Sequence, residues 1–322
     1  MASVELAGIA CCVPERILTN SDLEKLVETS DEWIIKRTGI STRHVITKET
    51  TVELGYKAAC MAIEQAGIDK NEIGLIVLST VTGEYLTPSI ASLIQKELDI
   101  DCPCMDVSAG CTGYIYGLVT GASLMDTLNL NAVLVIASEA LSYYTDWTDR
   151  ATCVLFGDGA GAVVLKKSAQ SCMHYPILGG IPDREDVLYI KKELRATPFR
   201  CISQNPMQYL RMKGSEVFAF ATNAVEETLR KLLKMCKDKP YTKIIPHQAN
   251  EKIIDYVRRK MNLKKSQFFL NISQYANTSS ATIPIALCDA YNKGWLKKGD
   301  RVALVGFGAG LTYGGVVIDW TI

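Results

Sequence analysis

The order of apolar and amphipathic segments in the first half of the chain is repeated in the second half, which limits the folds available to it. The repeated strands are short, continuous in apolar residues and β-branched, as is typical of strands buried on both faces of a sheet. In the first half the repeated segments cover residues 74–80, 102–118, 131–137 and 160–166, and their counterparts are 243–250, 268–287, 301–306 and 312–320. The repeat predicts two copies of one α/β unit.

Strands and helices alternate within each unit, so each should form a mostly parallel sheet, with ligands bound beyond the carboxyl ends of the strands. A chain of 322 residues that is 48% hydrophobic can build two such cores. We predict a first half at residues 1–170 and a second at 171–322. Residues 167–212 are only weakly periodic and are expected to form loops and hairpins.

Composition excludes several classes of function. Lysine plus arginine equal aspartate plus glutamate, at 35 each, so no overall positive charge favours nucleic acid. The first residues resemble no signal peptide and no apolar run is long enough to span a bilayer, which predicts a cytoplasmic protein without a membrane partner. The 11 cysteines are scattered, which favours reduced thiols over a disulfide framework or a zinc site.

Cys111 lies where an apolar strand passes through a glycine-containing turn into an amphipathic helix. Unpaired N–H groups and the helix dipole at such a turn favour a thiolate, so we predict a lowered pKa and a nucleophilic role. The alternative is a small apolar residue in a packed turn.

Three further features should meet Cys111, because each follows a predicted strand. Of the three histidines, only His247 follows an apolar strand directly into a polar turn, which makes it the best candidate base. The repeat places Asn277 where Cys111 lies in the first half, and a glycine loop covers residues 306–310. A cysteine, a histidine and an asparagine serve thiol proteases as well as enzymes that transfer acyl groups and form carbon–carbon bonds, and spacing does not choose between them.

The chain resembles the β-ketoacyl-acyl carrier protein synthase III family along nearly its whole length. The motifs that carry the resemblance occur in the family's order: DEWI at 31–34, RTGI at 37–40, DWTDR at 146–150, FGDGAGA at 156–162, PHQAN at 246–250, NTS at 277–279 and FGAGLT at 307–312. The resemblance implies a duplicated thiolase-like fold with two similar mixed βαβαβ halves packed in five α-β-α-β-α layers. It also implies the first condensation of type II fatty acid synthesis, a homodimer, and neither cofactor nor metal.

The resemblance assigns a role to each matching residue. The catalytic triad falls on Cys111, His247 and Asn277, and the oxyanion hole falls on the N–H groups of Cys111 and Ala309. Coenzyme A is expected to contact Trp33, Arg37 and Arg150, although a surface tryptophan with a solvated arginine is the alternative for Trp33 and Arg37. The expected contact with malonyl-acyl carrier protein comprises Gln248, Ala249, Asn250, Glu251 and Lys252.

The chain departs from the family pattern at three positions, Lys252, Ala309 and Thr87. Lys252 replaces a frequent arginine and loses its bidentate geometry. The basic face that it begins, with Arg259 and Lys260, is a docking patch or simply a solvated helix face. Ala309 replaces a frequent glycine. Thr87 replaces a larger aromatic residue, which predicts a roomier acyl pocket that accepts longer or branched primers.

Other functions remain open from the sequence. The same triad could join another acyl group to a malonyl unit in a specialised metabolite, or the chain could be a non-catalytic acyl-binding paralogue. A degradative thiolase is disfavoured because the loop at 306–310 carries no second cysteine, and a thiol protease is disfavoured because its signature around the nucleophile is missing.

Overall fold

A computed structural model gives the structure of the chain and describes residues 3–191, 197–199 and 209–322. The strands are β1 Val4–Cys12, β2 Ile17–Thr19, β3 Thr42–His44, β4 Ile73–Ser79, β5 Cys104–Val107, β6 Ala132–Ala140, β7 Asp158–Lys167, β8 Met173–Gly180, β9 Leu188–Tyr189, β10 Arg211–Met212, β11 Lys243–Pro246, β12 Arg301–Gly308 and β13 Thr312–Asp319. The helices are α1 Asn20–Leu23, α2 Asp31–Thr38, α3 Thr51–Ala66, α4 Ile90–Leu98, α5 Gly113–Thr127, α6 Arg150–Cys153, α7 Gly214–Met235, α8 Glu251–Lys260, α9 Ile272–Tyr275 and α10 Thr282–Asn292.

Two sheets with the same strand order confirm the predicted repeat. The first sheet runs β1-β7-β6-β4-β5, and the second runs β8-β13-β12-β11, with a parallel bridge from β11 to Phe268 in the place of β5. Each sheet is mixed, because β7 and β13 pair antiparallel with both of their neighbours. The expectation of mostly parallel sheets is wrong at these strands. A parallel strand needs a long crossover that brings the chain back to the end of the sheet where the previous strand began, and β7 and β13 are not preceded by such a crossover.

The centre of the molecule is a layer of two buried helices, α5 and α10, between the sheets. Small residues let α5 lie close to its sheet: a Cβ added at Gly121 would lie 3.1 Å from Val133 and Val135 of β6. Helix α10 is buried from Thr282 to Ala290 and packs on β1 and β7. With α3 and α4 outside the first sheet and α7 and α8 outside the second, the layers are α-β-α-β-α, as predicted.

The stretch expected to form loops and hairpins contains one long strand. Strand β8 forms the edge of the second sheet beside β13, and it is only partly buried, so it lacks a continuous apolar signal. A two-stranded ribbon of β9 and β10 follows. The remainder of this prediction, at residues 192–196 and 200–208, lies outside the described residues. Within the described ranges, no helix combines the length and apolar character needed to cross a bilayer.

Candidate active site

Cys111 sits in a turn between β5 and α5, as the sequence predicted. The turn begins at Gly110, whose φ of +56° is a left-handed conformation that glycine adopts without strain. A 3₁₀ turn over Gly110–Thr112 then leads directly into α5. The cysteine therefore lies at the amino end of a continuous helical segment.

The glycine loop after β12 packs directly on this turn. A Cβ added at Gly308 would lie 2.5 Å from the Cys111 nitrogen, and one added at Gly110 would lie 2.8 Å from the Ala309 nitrogen. The Thr312 hydroxyl donates to the Ala109 carbonyl over 2.9 Å and fixes the two segments together. The two glycines thus allow the backbone of Cys111 and that of Ala309 to approach each other closely.

His247 follows β11 and is almost completely enclosed, with 2% of its surface exposed. Its Nδ1 lies 2.6 Å from the Thr282 hydroxyl, and its ring meets Phe307 edge to face with centroids 5.2 Å apart. Burial lowers the pKa of His247 to about 3, so the imidazole is neutral at physiological pH. When Thr282 donates to Nδ1, the Nε2 atom carries the hydrogen.

Asn277 is held in place through both its backbone and its side chain. Its backbone forms a parallel bridge with Phe156, and its Oδ1 accepts the Ser279 N–H over 2.9 Å. The side-chain oxygen is therefore occupied, and the Nδ2 group is the donor that remains for a ligand.

Cys111, His247, Asn277 and Ala309 all line one cavity of about 820 Å³. Its walls are mostly apolar and include Val81, Leu141, Leu155, Phe156, Leu188, Leu210, Met212, Val217, Phe218 and Ile253. A largely apolar cavity with a few convergent polar groups is the usual form of a small-molecule site. Among the described residues, no group of three or more His, Cys, Asp or Glu side chains could hold a metal ion.

The expected lowering of the Cys111 pKa is wrong for the free protein. Burial, with a smaller contribution from the nearby Glu139 carboxylate, raises the pKa of the Cys111 thiol to about 12. A hydrogen bond with Ser279 and the cysteine's own N–H lower the pKa of the thiol, but they do not offset the loss of solvent. Cys111 is therefore a neutral thiol before substrate binds.

At the mouth of the cavity, Trp33 and Arg37 are lining residues and Arg150 lies beside them. The Arg150 guanidinium carbon is 4.8 Å from the Trp33 ring centroid, and that of Arg37 is 5.7 Å away. Arg150 also donates to the Glu28 carbonyl over 2.9 Å. Because Arg150 lies directly over the indole, a flat ring can enter between the two only if the guanidinium moves.

The segment from Gln248 to Lys252 divides into buried and accessible positions. Gln248 is 1% exposed and donates to the carbonyls of Pro246 and Phe269, so its expected contact with a partner protein is not available at the surface. Ala249 and Asn250 line the cavity, and Asn250 also caps α8. Glu251 packs beside Gly39, whereas Lys252 is exposed.

Thr87 lies away from the cavity of its own chain. It is exposed, next to Leu86, whose surface is 74% exposed. The cavity lining of this chain does not include Thr87. Any contribution of Thr87 to an acyl pocket must therefore be made to another copy of the chain.

Several residues that support the site were not predicted from the sequence. Glu139, Thr282 and Thr312 were given no role, although each is bonded to a neighbour of the cavity. Glu139 had a visible signal, because it is an acidic residue at the end of a strand that is apolar apart from Ser138. Thr282 had none, because it meets His247 only when the second half is folded.

Solved structures with the same fold cover nearly the whole chain. The 3-oxoacyl-[acyl-carrier-protein] synthase III from Aquifex aeolicus is 38% identical, with a TM-score of 0.90 over 98% of this chain and 100% of that one. The priming β-ketosynthase of the R1128 polyketide pathway is 29% identical, with a TM-score of 0.91 over 99% of this chain and 97% of that one. The fold and the site define an acyl-transferring condensing enzyme of the thiolase fold.

Family profiles and curated sequences give the particular family. The profile for 3-oxoacyl-[acyl-carrier-protein (ACP)] synthase III matches residues 105–177, and the profile for its C-terminal part matches 236–320. The β-ketoacyl-[acyl-carrier-protein] synthase III of Clostridium beijerinckii is 40% identical over 99% of this chain and 100% of its own length. The chain belongs to the β-ketoacyl-acyl carrier protein synthase III family, which confirms the resemblance found in its sequence.

Proposed function

We propose that this chain catalyses the first condensation of type II fatty acid synthesis, from an acyl-coenzyme A and a malonyl-acyl carrier protein. The observation that carries the proposal is the convergence of Cys111, His247, Asn277 and Ala309 on one cavity. The names of the matching relatives support the same reaction. Thioester exchange and decarboxylation need no electron carrier, so the proposal includes no cofactor.

In the first half-reaction, the Cys111 sulfur attacks the thioester carbonyl of the acyl-coenzyme A. A carbon–sulfur bond forms to Cys111, the bond to coenzyme A breaks, and the cysteine proton leaves on the coenzyme A thiol. The N–H groups of Cys111 and Ala309 stabilise the oxyanion, with an effect of roughly 3 kcal/mol for each donor in comparable sites. The proton is transferred during the reaction, because Cys111 begins as a neutral thiol.

In the second half-reaction, the malonyl thioester loses carbon dioxide and its thioester oxygen becomes an enolate. The side-chain N–H groups of His247 and Asn277 donate to this oxygen. The enolate carbon then attacks the acyl-cysteine, a carbon–carbon bond forms, and the Cys111 thiolate leaves and takes up a proton. The neutral state of His247 supports this assignment, because a neutral donor stabilises the enolate without protonating it.

The outer part of the site is proposed to hold the rest of each substrate. Trp33, Arg37 and Arg150 would bind the nucleotide of coenzyme A by stacking and by charge. Lys252 would contact the acidic carrier protein together with Ala249, Asn250 and Glu251. Lys252 supports this proposal because it is exposed and begins a basic groove that shares Phe218 with the cavity.

We also propose that the protein is a cytoplasmic homodimer. Each chain would divide into its two similar halves between residues 170 and 171. Within the described part of the chain, strand β5 is an edge strand that pairs only with β4, which leaves backbone groups for a second copy. Tyr85 and Leu86, both exposed, lie in the segment that leads to α4 beside β5. In a dimer formed there, Thr87 would contribute to the acyl pocket of the partner and leave space for longer or branched primers.

The proposal is tested by following each half-reaction separately. The protein is incubated with acetyl-, butyryl- and isobutyryl-coenzyme A without a malonyl donor, and adducts are located by peptide mass spectrometry. An adduct on Cys111 that is lost in C111A, followed by β-ketoacyl-carrier protein formation on adding malonyl-acyl carrier protein, is the expected result. Folded, reduced protein that forms no adduct with any primer would refute the proposal and favour an acyl-binding paralogue.

The same experiment distinguishes fatty acid synthesis from the related condensation in specialised metabolism. An enzyme of specialised metabolism would form the Cys111 adduct but extend it only with a different malonyl thioester, such as malonyl-coenzyme A. The similarity to the priming β-ketosynthase of the R1128 pathway makes this comparison necessary. Use of malonyl-coenzyme A without use of malonyl-acyl carrier protein would replace the proposed function with this one.

A further inference from the structure

Glu139 is a completely buried carboxylate at the end of β6, with no exposed surface. Its hydrogen-bond donors are hydroxyl and backbone N–H groups from both halves of the chain. One oxygen accepts from the hydroxyls of Ser279 and Ser280, at 2.9 and 2.6 Å, and from the Ser280 N–H at 3.4 Å. The other accepts from the hydroxyls of Thr82 and Thr80, at 2.7 and 3.2 Å, and from the Val81 N–H at 3.0 Å.

This set of donors suits an ionised carboxylate. Each oxygen faces a backbone N–H, which cannot reverse its direction, whereas hydroxyls can either donate or accept. Burial raises the pKa of Glu139, and the hydrogen bonds from Ser280, Thr82, Val81 and Ser279 oppose that effect. A buried carboxylate persists only where such donors replace water.

Ser279 connects Glu139 to Asn277. Its hydroxyl donates to Glu139, and its N–H donates to the Asn277 side-chain oxygen over 2.9 Å. Its φ is +50°, a left-handed conformation that costs free energy in a residue other than glycine. The bond to Glu139 holds Ser279 in that conformation, and this in turn aims the Asn277 N–H groups at the cavity.

Ser279 also connects Glu139 to Cys111. The Ser279 hydroxyl is a hydrogen-bond partner of the Cys111 thiol, and both residues line the cavity. A hydroxyl has one hydrogen, and here that hydrogen is donated to Glu139. While it is donated there, it is not available to the sulfur, so Glu139 limits how far the Ser279 hydroxyl can lower the pKa of Cys111. The negative charge of Glu139 acts in the same direction, and it also raises the pKa values of Asp158 and Tyr144.

We propose that Glu139 is a positioning residue that orients the Asn277 amide for decarboxylation and keeps Cys111 in the thiol form in the free enzyme. The inference rests on the roles proposed for Cys111 and Asn277. It goes beyond them because Glu139 touches neither substrate and acts through the Ser279 hydroxyl and backbone.

The first test measures Cys111 alone, in the absence of substrate. Carbamidomethylation of Cys111 by iodoacetamide is followed from pH 6 to 10 by peptide mass spectrometry in the wild type, E139Q, E139D and D158N. In E139Q the Ser279 hydrogen is released and the charge is lost, so the Cys111 profile should move at least one pH unit lower. E139D keeps the charge and should stay within half a unit of the wild type.

D158N is the matched control, since Asp158 is another buried carboxylate bonded to a hydroxyl and to backbone N–H groups. It should lower the melting temperature without moving the Cys111 profile. An E139Q profile that coincides with those of the wild type and D158N would overturn the proposed control of Cys111.

The second test separates the two half-reactions. In E139Q, acyl transfer to Cys111 should stay within about threefold of the wild type, whereas condensation should fall at least tenfold because Asn277 is misaligned. S279A keeps the carboxylate and should show the same split, which maintains the test if E139Q does not fold. Equal losses in both half-reactions would reduce Glu139 to a structural role. A wild-type protein that accepts no acyl group would instead refute the proposed function, while the alkylation profiles would still test Glu139.

Discussion

At the scale of single residues, the imidazole of His247 is neutral because protein atoms surround it. Its Nδ1 contacts a hydroxyl and its ring packs on Phe307, and none of the carboxylates that the structure describes is paired with it. The cost of ionising a buried histidine appears as a pKa of about 3 for His247, compared with its ordinary value of 6.5. This difference has a consequence for the stability of the whole chain.

The pH dependence of unfolding should therefore differ between the wild type and H247N. Below about pH 6.5 the unfolded chain binds a proton at His247 that the folded chain does not bind, so the wild type loses stability as pH falls towards 3. The extra loss should approach roughly 1.4 kcal/mol per pH unit relative to H247N. Urea unfolding at pH 7, 6, 5 and 4 measures it, and parallel curves for the two proteins would show that His247 titrates normally.

Residue positions could be predicted at this site more reliably than residue energetics. The turn at Cys111 is encoded locally by an apolar strand followed by Gly110 and Gly113, so its geometry was predictable. The pKa of Cys111 depends on which atoms cover the sulfur, including Ser279 and Glu139 from distant segments. The helix terminus alone therefore predicts the wrong direction for the pKa of Cys111, because burial outweighs the helix dipole.

At the scale of elements, helix α8 presents a basic groove beside the mouth of the cavity. Lys252, Arg259 and Lys260 line it with Phe218 and Tyr256. Ion pairs already engage two of these cations, since Arg259 contacts Asp255 and Lys260 contacts Glu226. Lys252 lies nearest in sequence to the cavity residues Ala249 and Asn250, which makes it the best position for a charge-reversal test.

K252E should weaken the use of malonyl-acyl carrier protein and leave acyl transfer from acyl-coenzyme A unchanged. We expect the KM for the carrier protein to rise roughly 5- to 30-fold at low salt, with a smaller ratio at high salt, because a surface charge is screened. K298E is the control, since Lys298 precedes β12 at the end of the strand opposite the cavity. An equal increase in KM for K298E would assign the effect to net charge rather than to the groove.

The elements themselves were predictable where burial is continuous along the strand. Strands β6 and β12 are buried at every position and are apolar along nearly all of their length, so they were found directly. Strand β8 is half-buried at the edge of its sheet and was missed. Gln248 lies in a motif of polar residues, and only the packing against Phe269 shows that it faces inward.

At the scale of the whole molecule, the first sheet ends at β5, where no other described strand pairs with its outer edge. Edge strands carry unpaired backbone groups, and proteins cover such edges with another element or a second copy. Tyr85 and Leu86, in the segment that leads to α4, are 58% and 74% exposed. Two consecutive large apolar side chains are seldom this exposed unless another surface covers them. A two-fold pairing of β5 strands would cover the edge and these side chains together.

We therefore predict that the protein is a dimer in solution and that L86D weakens it. Light scattering should give a mass of roughly 71 kDa, twice the 35.4 kDa of one chain, and L86D should shift the protein towards the monomer. The matched control is L128D, because Leu128 is also exposed, at 50%, but follows α5 at the opposite end of the sheet.

If Thr87 reaches the acyl pocket of a second copy, T87F should reduce acylation by butyryl-coenzyme A more than by acetyl-coenzyme A. A monomeric wild type, or a dimer unaffected by L86D, would refute pairing at this edge and with it the role of Thr87.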